Sequence, residues 1–178
     1  MRKYTTVEAA LTAVSEDGLA LRDVPEDLKT KAVCLEAVRQ WGSALAFVPT
    51  ERKTPEVCLE AVKQDGRALK FVPARMKTEE VCIEAVRQCG RALKIVPERL
   101  KTPEVCIEAV TQRGLSLPDV PVNLRSEEMC LVAVRQHAGA MQYVPVRLRN
   151  DVKTALEQET AAFTESEVAE PETDAPRP

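Results

Sequence analysis

Five cysteines stand at an interval of 24 residues: Cys34, Cys58, Cys82, Cys106 and Cys130. Regularly placed thiols could do two kinds of chemistry, metal ligation or disulfide formation. A disulfide needs Cα atoms within about 7 Å. Equivalent residues on neighbouring packed helices lie about 8–10 Å apart. Structural metal sites want clustered ligands such as Cys-x-x-Cys, and this spacing is absent from the chain. The five thiols therefore read as small buried hydrophobes, which suits a reducing compartment. The sixth cysteine, Cys89, lies off that ladder. It falls in a column that runs Asp17, Trp41, Asp65, Cys89, Arg113, His137, which holds the only Trp and the only His of the chain. The neighbouring column is nearly constant: Gln40, Gln64, Gln88, Gln112, Gln136. A column that accepts Asp, Trp and Arg alike is expected to be exposed, and variable exposed columns in uniform repeats are where binding contacts sit. Trp41 stands out, because tryptophan is favoured at interaction hot spots. His137 has no nucleophile or carboxylate beside it in the sequence pattern. Gly-rich phosphate loops, nucleophile elbows and paired metal ligands are also missing, so neither an enzyme nor a cofactor is expected.

Basic residues form the second chemical pattern. Arg67 repeats as Arg91, Lys70 as Lys94, Arg75 as Arg99 and Lys77 as Lys101. Another column runs the length of the repeats as Lys29, Lys53, Lys77, Lys101, Arg125 and Arg149. These bases could attract an anionic ligand. Alternatively they form a solvated face paired with the glutamates at 56, 80, 104 and 128, where ion pairs contribute little. Nucleic acid is disfavoured, because the patch lacks interleaved stacking aromatics other than Phe71.

These residues are carried by an internal repeat. Glu56-Val57-Cys58-Leu59-Glu60-Ala61-Val62 returns as Glu80-Val81-Cys82-Ile83-Glu84-Ala85-Val86 and again from Glu104. Val-Pro pairs recur at Pro25, Pro49, Pro73, Pro97, Pro121 and Pro145. Six units result, opened by Val7 and closed by Asn150. Each begins with a helix capped by Thr30, Thr54, Thr78, Thr102, Ser126 or Asn150. Val57, Cys58, Ala61 and Val62 share its inner face. Gly66 is expected to end that helix in the permissive C′ position. A second short helix over Arg67 to Val72 buries Ala68, Leu69 and Val72 and stops at Pro73. A turn or 3₁₀ piece follows, anchored by Met76 and its equivalents Leu28, Leu100, Leu124 and Leu148. One such pair cannot bury its own apolar face, but stacked pairs can. The expectation is an all-α solenoid of six 24-residue two-helix repeats, on the order of 50–60 Å long at the usual helix spacing.

The units resemble a bacterial family, domain-of-unknown-function family 4116, through Val57, Leu59, Ala61, Val62, Gly66, Ala68, Leu69, Phe71 and Val72 and their equivalents. They depart from its pattern in the cysteine and in the proline after the second helix. A looser similarity to the leucine-rich repeat variant rests on Val72-Pro73 followed by Thr78-Glu79-Glu80-Val81. The resemblance implies an all-helical repeat array used as an interaction module, and it brings no catalytic residues.

Residues 151–160 look like a capping helix, with Thr154 and Ala155 in place of the Cys-Ile pair. Residues 164–178 read as a disordered acidic tail beyond a solenoid of residues 1–163. Of the 178 residues, 25 are Lys or Arg and 28 are Asp or Glu, giving a net charge of −3. Residues 151–178 carry a net −6 and residues 1–150 a net +3. No apolar run is long enough to span a membrane, and Met1-Arg2-Lys3-Tyr4-Thr5-Thr6 leads into no continuous apolar stretch, so a cytoplasmic monomer is expected. The expected function is a noncatalytic scaffold that binds an unidentified protein. The alternative is a binder of an anionic ligand or nucleic acid. The residues singled out for contact are Trp41, Asp65, Arg67, Lys70, Cys89, Arg91, Lys94, Arg113 and His137.

Overall fold

The computed structural model describes residues 4–168, with the side chains beyond residue 161 left aside. Seven α-helices follow one another: α1 (Val7–Glu16), α2 (Lys31–Gln40), α3 (Pro55–Gln64), α4 (Glu79–Gln88), α5 (Pro103–Gln112), α6 (Glu127–Gln136) and α7 (Arg149–Val168). The first six open one repeat each, and successive α-helices pack side by side. The architecture is the all-α repeat solenoid that the period implies.

Each α-helix starts at a hydroxyl cap. Thr54 Oγ1 accepts from the Val57 N–H at 3.3 Å, and Thr30, Thr78, Thr102 and Ser126 repeat this bond. Asn150 departs from the column, because α7 begins one residue earlier and encloses it. The inner face closes as its spacing dictates: Val57, Cys58, Ala61 and Val62 are fully buried.

The second helix of each repeat is a 3₁₀ helix rather than an α-helix. Gly66–Phe71 is typical; the others are Gly18–Asp23, Gly42–Phe47, Gly90–Ile95, Gly114–Asp119 and Ala138–Tyr143. Its bonds close over three residues: Ala68 N–H to Asp65 O at 2.8 Å, Val72 N–H to Leu69 O at 3.2 Å. A further 3₁₀ turn, such as Ala74–Met76, follows each Val-Pro pair; in five repeats it sets Met76 or its leucine equivalents half-buried against the core, and in the second it ends on the exposed Arg52.

The glycine that begins each 3₁₀ helix has a role other than the expected one. No described glycine has a positive φ, so Gly66 is not a left-handed helix cap. The preceding residue, Asp65, turns the chain in an extended conformation (φ −146°, ψ 110°). This drives Gly66 against the next α-helix, where a Cβ would stand 2.2 Å from the Ala85 carbonyl oxygen. The same approach recurs at Gly18, Gly42, Gly90 and Gly114, at 2.3–2.6 Å for the last three and 2.4 Å for the first. The sixth repeat has Ala138 in this column, and it is exposed. Its 3₁₀ helix packs on α6, whereas α7 packs on α6 and on the turn Val146–Leu148.

The basic column Lys29 to Arg149 also lies elsewhere than either sequence reading put it. Lys29 is buried, and its Nζ donates to the Phe47 carbonyl at 3.1 Å. Lys53 donates to Phe71 O, Lys101 to Asp119 O and Arg125 to Tyr143 O. Each acceptor is the last residue of the next repeat's 3₁₀ helix, where unpaired carbonyls favour a cation. Arg149 turns back onto Val144 O of its own repeat. Four of the six residues of this column thus join repeats, and Lys77 makes no such bond among the described residues.

α7 runs through Val168, so the backbone of residues 164–168 is helical where the sequence pattern placed the start of a disordered tail. Residues 169–178 of that expected tail lie outside the described residues. Among the described residues no helix is long and apolar enough to cross a membrane.

The joint makes a contrast between two glycines. Gly66→Ala should cost about 1–3 kcal/mol, the usual penalty of overpacking a closed contact. Gly139 has no atom within 4 Å of an added Cβ, so Gly139→Ala should raise stability by about 0.4–1 kcal/mol by restricting the unfolded chain. Urea unfolding of both variants distinguishes them; equal effects would show that the carbonyl approach does not govern the fold.

Candidate functional site

The variable column sits at the junction of the two helices in each repeat, where one extended residue both ends the α-helix and opens the 3₁₀ helix. Trp41 and His137 are exposed there, while Asp65, Cys89 and Arg113 are only half-buried, short of the full exposure expected for the whole column. The junction leaves the first N–H groups of the 3₁₀ helix without partners. Two devices satisfy them. Asp17 Oδ1 accepts from Leu19 N–H and Asp65 Oδ1 from Arg67 N–H, both at 2.9 Å. Where the junction residue is Trp41, Cys89 or Arg113, the glutamine of the next repeat substitutes. Gln64 Oε1 accepts from Gly42 N–H at 2.5 Å, and Gln112 and Gln136 accept from Gly90 and Gly114 at 2.6 Å. Gln40 and Gln88, which follow the aspartate junctions, donate instead to Glu36 and Glu84. Gln64, Gln112 and Gln136 are thus structural, and Asp65 is first a cap.

A cleft of about 400 Å³ opens across these junctions in the second and third repeats. Trp41 and Ser43 of the second repeat, residues 64–68, Lys70 and Phe71 of the third, and Gln88 of the fourth line it. The Trp41 side chain is 52 % exposed, uncommon for so large a ring. Asp65 holds Arg67 in a paired arrangement, Nε to Oδ1 at 3.1 Å and to Oδ2 at 3.3 Å. That pairing holds the Arg67 guanidinium still more firmly protonated than usual. Lys70 places its Nζ 4.7 Å from the centre of the Phe71 ring, a cation–π contact at the rim.

Four of the nine singled-out residues therefore meet in one place: Trp41, Asp65, Arg67 and Lys70. Arg91 and Lys94 lie one repeat further along in the same register, both exposed. Lys94 Nζ reaches Asp119 Oδ1 at 4.0 Å. Lys70 and Arg91 have no ion pair among the described residues. Cys89, Arg113 and His137 do not line the cleft. Ser43, Phe71 and Gln88 do, and the sequence reading did not select them for contact. Phe71 carried a signal, because it is the aromatic next to the basic patch.

The buried cysteine ladder packs between helices. Cys34, Cys58, Cys82, Cys106 and Cys130 are fully buried with free thiols. Burial pushes all five thiols up, Cys34 and Cys106 to about 11, against a partial counter-effect from the nearby Lys29 and Lys101. They stay neutral at physiological pH. Among the described residues, no three Cys, His, Asp or Glu side chains cluster closely enough to hold a metal ion.

The geometry defines a tandem array of α/3₁₀ units with one shallow, aromatic and basic cleft. The family model described as Domain of unknown function (DUF4116) matches residues 7–53, 31–77, 54–101 and 78–125. Together these spans cover more than half of the chain, which belongs to that family. Each span covers two of the 24-residue units and overlaps its neighbour by about one. No curated protein and no solved structure matches the chain.

The thiols give a direct check. Ellman's reagent should find one reactive thiol, Cys89, in the native chain and all six in denaturant; several fast native thiols would contradict the burial. Since the folded-state values of Cys34 and Cys106 are raised from 9.0 to about 11, the unfolded chain loses these protons first. Their contribution to stability is intact below about pH 9 and declines as pH rises towards 11. Replacing both by Ala should flatten that decline in urea unfolding measured across the interval.

Proposed function

We propose that the chain is a noncatalytic protein-interaction scaffold that holds its partner along the exposed side of successive 3₁₀ helices. The cleft beside Trp41 carries this reading. It combines a half-exposed indole, the Phe71 ring and two cations on a surface fixed from below by the joints between repeats. Aromatic and arginine side chains on a rigid support are the usual energetic centre of a protein interface. Preorganisation lowers the entropic cost of binding. The lining offers no side-chain pair with the geometry of a nucleophile and its base: Asp65 is engaged by Arg67, and Gln64 by the backbone of the preceding repeat. The scaffold acts as a monomer in the cytoplasm under this proposal.

A second reading is favoured by the register of Arg67 with Arg91 and Lys70 with Lys94. A simple anionic ligand or a nucleic acid would use the same four cations with little need of Trp41. Its affinity would fall steeply with salt.

One experiment tests the first reading. Tagged chain and the Trp41→Ala/Arg67→Ala/Arg91→Ala variant are purified from the native cell, with partners quantified by mass spectrometry. A Glu80→Ala/Glu104→Ala variant on the α-helical side serves as control. Proteins retained by the chain and the control should be lost from the triple variant, whose circular dichroism should be unchanged. Partners held equally by all three would place the interface elsewhere.

A further inference from the structure

The spacing of the exposed groups on this face carries information about what fits it. The inference rests on the scaffold reading above and narrows the chemistry of the partner. Trp41 belongs to the second repeat, Arg67 and Lys70 to the third, Arg91 and Lys94 to the fourth. Equivalent points on adjacent repeats are separated by the helix packing distance, about 8–10 Å. An extended chain in the polyproline II conformation rises about 3.1 Å per residue and repeats every three residues, so one of its turns spans about 9.3 Å. One turn of such a peptide thus advances by one repeat of the solenoid.

The charges are one-sided along this line. Arg67, Lys70, Arg91 and Lys94 are all exposed. Asp65 partly neutralises Arg67, and Asp119 stands 4.0 Å from Lys94. Lys70 and Arg91, one in each repeat, have no carboxylate partner among the described residues. At the start of the line, Trp41 and Phe71 present ring surface next to the cations. Aromatic grooves of this kind bind proline and aromatic side chains of extended peptides. A cleft of about 400 Å³ takes one or two side chains. A helical ligand, about 10–12 Å across, would stand off its floor.

We propose that this face binds an extended acidic peptide of a partner protein, with a proline or aromatic residue against Trp41 and acidic residues three and six positions along from it. The ring of the ligand lies against Trp41, and the cleft between Trp41 and Phe71 takes that ring together with the first acid. The first acid meets the Arg67–Lys70 pair and the second the Arg91–Lys94 pair. The acids set the register, and the apolar residue supplies the anchor.

The chain has one tryptophan, Trp41, so its own fluorescence reports occupancy. The full chain is titrated with acetyl-Phe-Pro-Pro-Glu-Pro-Pro-Glu-Pro-amide. Two control peptides are an isomer with adjacent glutamates and a version with both glutamates replaced by glutamine. Saturable change in Trp41 emission is expected with the first peptide, with affinity about tenfold or more weaker for both controls and for the Lys70→Glu/Arg91→Glu variant. The variant's far-ultraviolet circular dichroism and melting curve confirm that it folds. Equal affinity for the three peptides, or an unaffected variant, would overturn the proposal. So would the absence of saturation by any peptide, with or without saturation by a nine-nucleotide oligouridylate, which would mark the face as a nucleic-acid surface. Loss of cellular partners from the Trp41→Ala/Arg67→Ala/Arg91→Ala variant, together with no peptide response, would leave the scaffold reading standing and remove only the acidic-peptide chemistry.

Discussion

The structure depends on one contact made five times: the α-carbon of a glycine set against the carbonyl of the helix in the next repeat. A side chain can enter that space only if the backbones move apart, since a Cβ on Gly66 would fall 2.2 Å from Ala85 O. The contact brings each 3₁₀ helix between its own α-helix and the following one. It is what converts two short helices, too small to fold alone, into a continuous core of Val, Leu, Ala and Cys. Where the column changes to Ala138, the stacking of α-helix onto 3₁₀ helix stops.

Close approach of backbones creates a polar problem, because helix ends bring unpaired N–H and C=O groups into the joint. The chain meets it from both ends. Asp17 and Asp65, or a glutamine from the next repeat, accept the first N–H groups of the 3₁₀ helices. Lysines and arginines from the preceding repeat donate to the last carbonyls. Charged donors make these bonds stronger than neutral ones. The polar residues of the joint are therefore committed to structure. Under the proposed scaffold function, the groups left for recognition are the exposed remainder of the 3₁₀ helices, and the cleft at Trp41 is the place where this remainder is both aromatic and basic.

Much of this was legible in the residues. The period, the hydroxyl caps and the buried columns at Val57, Cys58, Ala61 and Val62 follow from spacing and side-chain type, which are local properties. The register of Arg67 with Arg91 and the singularity of Trp41 were legible for the same reason. What escaped depends on partners in another repeat. Gly66 looks like an ordinary helix terminator until its neighbour at Ala85 is in place. Lys29 looks like a surface charge, because its acceptor, the Phe47 carbonyl, is 18 residues away and has no side-chain signature. The six residues Gly66–Phe71 are too few to separate a 3₁₀ helix from an α-helix by periodicity. Asn150 has the type of a cap, but α7 begins before it. Ser43 and Gln88 enter the cleft only because three repeats meet there, and no single repeat predicts them.

The central claim is that a protein partner occupies the 3₁₀ side of the stack and not the α-helical side. Ala46 is exposed on that side, in the same column as Lys70 one repeat earlier, and Glu80 is exposed on α4. A photoreactive amino acid placed at position 46 or at position 80 in the native cell tests the claim directly. Discrete protein adducts from position 46, and none from position 80, are the predicted result. Adducts from position 80 alone would contradict the account.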